Sequence, residues 1–169
     1  LFRSTHMPNL AQLLNSKAPR PHQRVFEICR EIASSSSSVE QIYVVGGVVR
    51  DLIIDREPGD IDLTVVGNAE QFATDLAERL SAQTAKASQF LTFKISLPDA
   101  STSPEIDVVV ARSESYESPA ALPTVVPAGI EEDLLRRDFT LNSMAISLRD
   151  SDFGNLRSEE HTSELQSPD

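Results

Sequence analysis

Residues 43–66 read YVVGGVVRDLIIDREPGDIDLTVV, and the fold turns on them. An apolar run closes on Gly46 and Gly47, Arg50 and Asp51 follow, Pro58-Gly59 marks a turn, and Asp60 and Asp62 lead a second apolar run. The pattern predicts a buried strand over 41–45, a glycine corner, a short helix over 48–54 and another strand over 60–66. Side chains two apart on a strand share a face, so Asp60 and Asp62 project together while Ile61, Leu63 and Val65 turn to the core. Two carboxylates that close repel unless a cation sits between them, and Mg2+ takes one or two carboxylates plus phosphate oxygens. Such a pair suits two-metal phosphoryl or nucleotidyl transfer. A D-x-D taken alone is more often a solvated turn or strand edge; at the head of an apolar strand, idle charges are less expected.

Working outward, Gly46 and Gly47 end a strand and open a helix, where backbone N–H groups and the positive helix end favour an anion. A plain tight connection is the alternative. No Gly-Lys-Ser/Thr follows and the G-x-G-x-x-G spacing is missing, so neither common phosphate loop applies. Arg50 reaches either a phosphate or a surface partner, Asp51 or Asp55. Asp107, in EIDVVVAR (105–112), either joins the acidic pair from a neighbouring strand, with Glu105 as its rival on the same face, or is simply an exposed strand-start acid; spacing does not choose between them. In EEDLLRRD (131–138) the charges form either a solvated helix face or a grip in which Arg136 and Arg137 hold a nucleotide through forked donors.

The remainder frames this centre. The 169 residues, 40% hydrophobic and 24% charged, suit one globular domain. No apolar run nears the ~20 residues of a membrane span, and no signal peptide is visible, which predicts a cytoplasmic protein. A net charge of −11 excludes a generally basic nucleic-acid surface, though not a few arginines in a cleft. The single Cys29 rules out an internal disulfide framework and lies in a helical stripe with Val25, Ile28 and Ile32. Residues 1–38 are expected to form an N-terminal segment with a helix over about 22–33, closed by the serine run 34–38. Residues 39–156 form the main domain, with an amphipathic helix at 69–80, paired strands at 92–97 and 105–111, an irregular loop at 113–128, a helix at 130–137 and a last strand at 143–148. Residues 157–169 open with RSEEHTSELQS, which resembles translated sequencing-adapter sequence and is set aside as an artefactual tail.

At the residues quoted, the chain resembles the catalytic head of the class II tRNA nucleotidyltransferase (CCA-adding enzyme) and bacterial poly(A) polymerase family. The resemblance rests on GGVVRD (46–51), DID (60–62), EIDVVVAR (105–112), SESYESPAALPTV (113–125) and DLLRRDFTLNSMA (133–145), in that order over 41–148. Each is modest alone; their order and spacing together are specific. The resemblance implies an α/β (α+β) domain with a polymerase-β-like nucleotidyltransferase fold, a mixed β-sheet flanked by helices. It implies that Asp60 and Asp62 bind Mg2+ and that Asp107 takes the third acidic position. Gly46, Gly47, Arg50 and Arg137 would contact the incoming ATP or CTP, with Arg112 a further phosphate contact. Family members add C, C and A to the tRNA 3′ end and release pyrophosphate. Their helical neck, which reads the base, and their tRNA-holding regions have no counterpart here, so the resemblance covers a head truncated before the neck. A poly(A) or A-adding enzyme is the near alternative, and an inert nucleotide-binding fragment the alternative from another class.

Overall fold

The computed structural model describes residues 9–86, 91–99, 101–137 and 143–158. After a π-helical turn at Leu13–Lys17 comes α1 (Arg20–Ser35), two residues longer at each end than the sequence pattern predicts. Pro21 sits in its first turn, where a fixed φ and a missing N–H cost nothing. Its buried stripe, Val25, Phe26, Ile28, Cys29 and Ile32, packs into the same core as the strands, so α1 is built into that core. Each large aliphatic or aromatic side chain buried there contributes about 1.5–3 kcal/mol. Burial also pushes the Cys29 thiol pKa well up, leaving it an inert packing residue.

The central elements follow the predicted order. They are β1 (Val39–Val45), α2 (Gly47–Ile53), β2 (Ile61–Gly67) and α3 (Ala69–Leu80). Asn68 caps α3 by accepting the Gln71 N–H at 3.0 Å, and Ser81 ends it in the left-handed conformation. Then come β3 (Gln83–Lys86), β4 (Thr92–Ser96), β5 (Ile106–Val110), β6 (Arg112–Ser115), β7 (Thr124–Pro127), α4 (Ile130–Leu135), β8 (Met144–Ser147) and β9 (Leu156–Ser158). Seven strands form one sheet in the order β3-β4-β5-β2-β1-β8-β9, in which β2 and β5 run parallel and the other pairs antiparallel. This is the expected mixed sheet flanked by helices.

Two expectations change. Residues 113–128 are not irregular throughout: Arg112–Ser115 and Thr124–Pro127 pair as a two-stranded ribbon outside the main sheet. Pro119 and Pro123 fall in its connection and Pro127 ends a strand, where prolines are tolerated. The segment set aside as a tail begins inside β9, with Arg157 opposite Ala145 and Ser158 opposite Met144; residues 159–169 lie outside the described ones. Among the described residues no helix is long and apolar enough to cross a membrane.

The sheet has two unlike faces. One carries Ile42, Val44, Ile61, Leu63, Val65 and Val108 into the main core. On the other, Ile130 and Leu134 of α4 pack on Tyr43, Val45 and Ala145. Among the described residues its remainder is open, and the polar residues of the centre project there. At the end of β2, a Cβ on Gly67 would stand 2.5 Å from the Ser38 carbonyl oxygen, with φ at +121°. Gly67→Ala is therefore expected to cost more than about 1 kcal/mol, read as a lower urea midpoint with unchanged slope. An unchanged midpoint contradicts this.

Candidate active site

Strand register assembles the site. Lys94 on β4 is paired with Asp107 on β5, Asp107 with Asp62 on β2, and Asp62 with Val45 on β1. One row across four strands thus sets an ammonium and two carboxylates side by side on the open face. Like charges directly opposite on adjacent strands destabilise a sheet. Asp62 shows the strain: loss of water around its carboxylate raises its pKa, Asp107 raises it further, and Arg137 pulls it back in part. By surface area Asp62 is exposed, yet desolvation is the largest cause of this shift, because the carboxylate lies in a recess whose walls are protein. Asp107 itself is held by Lys94, whose Nζ donates to both its oxygens at 2.9 and 3.1 Å.

Asp60 is placed differently. The strand begins at Ile61, so Asp60 stands just before it, exposed, and its Oδ1 accepts the Glu105 N–H at 3.0 Å. It borders the Pro58 and Ser103 side, whereas Asp62 and Asp107 line a cleft of about 260 Å3 with Arg112, Arg136 and Arg137. The glycine corner meets one of the two acids of the D-x-D pair: Gly46 has φ +72°, and a Cβ there would lie 3.6 Å from Asp62 Oδ2. Arg50 folds back on Asp51 at 2.9 Å, the ion-pair alternative, while its Nη2 lies 3.6 Å from the Cβ position of Gly47.

The arginines are fixed by a residue that sequence reading passed over. Asp133 is fully buried in α4. Its Oδ1 accepts from Arg136 Nη2 at 2.8 Å and from the Arg112 backbone N–H at 3.1 Å. Its Oδ2 accepts from Arg137 Nε at 2.9 Å and Nη2 at 2.7 Å. Arg137 Nη2 also donates to buried Thr64 at 3.2 Å, which places the guanidinium over β2 beside Asp62. Spacings of three and four residues put Asp133 on the helix face shared with Arg136 and Arg137, and that was the available signal. Asp138 lies outside the described residues. His22 was also missed: its Nε2 lies 2.7 Å from the Gly59 carbonyl, bracing the turn that delivers Asp60.

A larger hollow of about 570 Å3 lies between α1 and α3, but its charges are already matched, Arg30 with Asp150 and Arg79 with Glu31. Volume alone does not decide the site. Among the described residues no three His, Cys, Asp or Glu side chains are grouped closely enough to hold a metal ion. The donor set nonetheless fits a hard divalent cation at Asp62 and Asp107, whose mutual repulsion such an ion would relieve.

An acidic pair and an arginine cluster thus lie together on one face of a mixed sheet. The profile of the Poly A polymerase head domain matches residues 42–158, and the chain belongs to that family. It is 37% identical over 148 residues to the A-adding tRNA nucleotidyltransferase of Geobacter sulfurreducens, covering 87% of this chain and 16% of that protein. Its fold superposes on the apo form II of a CCA-adding enzyme with a TM-score of 0.80 and 33% identity, over 96% of this chain and 38% of the other. The Thermotoga maritima CCA-adding enzyme complexed with tRNA-CCA gives a TM-score of 0.72 at 31% identity, over 92% and 33% of the two chains. The chain thus spans well under half the length of these relatives.

Proposed function

We propose that this chain is the catalytic head of a tRNA nucleotidyltransferase that adds C, C and A to tRNA 3′ ends from CTP and ATP. What carries the reading is the in-register pair Asp62–Asp107 facing Arg137 across one cleft. Asp62 and Asp107 are the residues that would hold Mg2+, which when bound supplies Lewis-acid activation of the attacking hydroxyl and charge neutralisation at the triphosphate, while Asp60 stands outside that cleft with its Oδ1 on the Glu105 N–H. Arg137, and beside it Arg136 and Arg112, present donors to the triphosphate oxygens, and Asp133 keeps two of those guanidiniums oriented. Gly46, Gly47 and Arg50 border the corner where the phosphates approach. The tRNA 3′ oxygen forms a bond to the α-phosphorus, the α–β bridging bond breaks, and pyrophosphate leaves with its electron pair.

A second reading, addition of A alone, is favoured by the name of the Geobacter relative. Incubation of the full-length protein with tRNA lacking its CCA end and labelled CTP or ATP separates the two. CTP incorporation supports CCA addition, ATP incorporation only after a CC end supports A addition, and neither with Mg2+ present contradicts both. Arg137→Ala is expected to weaken nucleotide binding by about tenfold or more, since a charge-assisted donor is lost. Unchanged affinity by isothermal titration counts against its role.

A further inference from the structure

The family reading leaves Lys94 without a task, although it reaches the centre of the acidic row. It alternates on β4 with Phe93 and Ile95, both buried in the core, so its own side chain falls on the open face. An ammonium has three donors. Here they meet three acceptors: the two Asp107 oxygens at 2.9 and 3.1 Å and Glu105 Oε1 at 3.1 Å. Asp107 is the carboxylate paired with Asp62 on the neighbouring strand. The charge that a divalent ion would need from Asp107 is therefore already neutralised by a cation built into the fold.

We propose that Lys94 is an internal counter-cation that competes with the divalent ion for Asp107, so that ion binding requires Lys94 to withdraw onto Glu105. This rests on the nucleotidyltransferase reading of Asp62 and Asp107. Glu105 gives the displaced ammonium a second holder, and nearly half of each of these two side chains is in solvent, so the shift needs no rearrangement of the core. The device also lets the acidic pair fold without a metal, because Lys94 offsets the repulsion between carboxylates on adjacent strands. Glu105, a rival for the third acidic position by alternation, becomes the residue that receives the lysine.

Mn2+ titration of the chain, with unbound ion followed by electron paramagnetic resonance, tests this without requiring activity. Lys94→Met should bind Mn2+ at least threefold more tightly than the parent, Lys94→Gln likewise, and Lys94→Arg within twofold of it. The gain should vanish when Lys94→Met is combined with Asp107→Asn, because the competition acts through Asp107. Unchanged or weaker binding in Lys94→Met overturns the proposal. So does the same gain in the Asp107→Asn background, which would mark a general effect of charge. If Asp62→Ala leaves parent Mn2+ binding intact, the reading of the acidic pair fails instead.

Discussion

Asp62→Asn is expected to abolish nucleotide transfer, by ~10^3-fold or more, while leaving the protein at least as stable. Outer-shell partners of a metal typically cost 10–100-fold, and Asp62 is placed as a direct ligand, so the loss should exceed that range. The stability side has the opposite sign. Desolvation and the facing Asp107 both raise the Asp62 pKa, so at neutral pH its charged form is held at a disadvantage in the folded state. Asparagine keeps the shape and removes the repulsion. The thermal midpoint should therefore stay or rise as activity disappears, the pattern of a site maintained against stability. An active variant overturns the role of Asp62, and a lower midpoint overturns the electrostatic account.

Asp133→Asn should do the reverse, harming the fold and the site together. The carboxylate is fully buried and joins Arg136, Arg137 and the Arg112 backbone. An amide cannot accept at both ends, and its NH2 would face guanidinium donors. The expected cost is about 2–4 kcal/mol, somewhat below the range for breaking a buried pair because each arginine side chain keeps about a fifth of its surface in water. Nucleotide affinity should fall as well, since Arg137 loses its orientation. Urea unfolding checks the first effect and calorimetric titration the second. A variant with parent stability would show that the arginines hold themselves.

The central fold was legible because its signals are local. The apolar runs around Gly46 and Asp62 alternate or end as strands do, and the one-sided apolar stripe of residues 69–80 marks α3. The pairing of Asp107 with Asp62 was anticipated as a neighbouring-strand contact, and the parallel β2–β5 register supplies it. What stayed hidden depends on partners far along the chain. The strand Gln83–Lys86 lacks an apolar alternation and exists through pairing with β4. The ribbon at 112–127 is masked by serines and prolines whose turn signals outweigh its short strands. Asp60 shares a face with Asp62 by simple alternation, but β2 starts one residue later and the Glu105 amide takes its carboxylate. Asp133 disappears among Glu131 and Glu132 in a run that looks like a solvated face, and only its spacing to the two arginines marks it.

Diffraction from crystals grown with Mn2+ and a non-hydrolysable CTP tests the central claim most directly. The account predicts an anomalous manganese peak bounded by Asp62 and Asp107 beside the Gly46 corner, with the triphosphate against Arg137. A peak and nucleotide bound elsewhere, such as the hollow between α1 and α3, would contradict it.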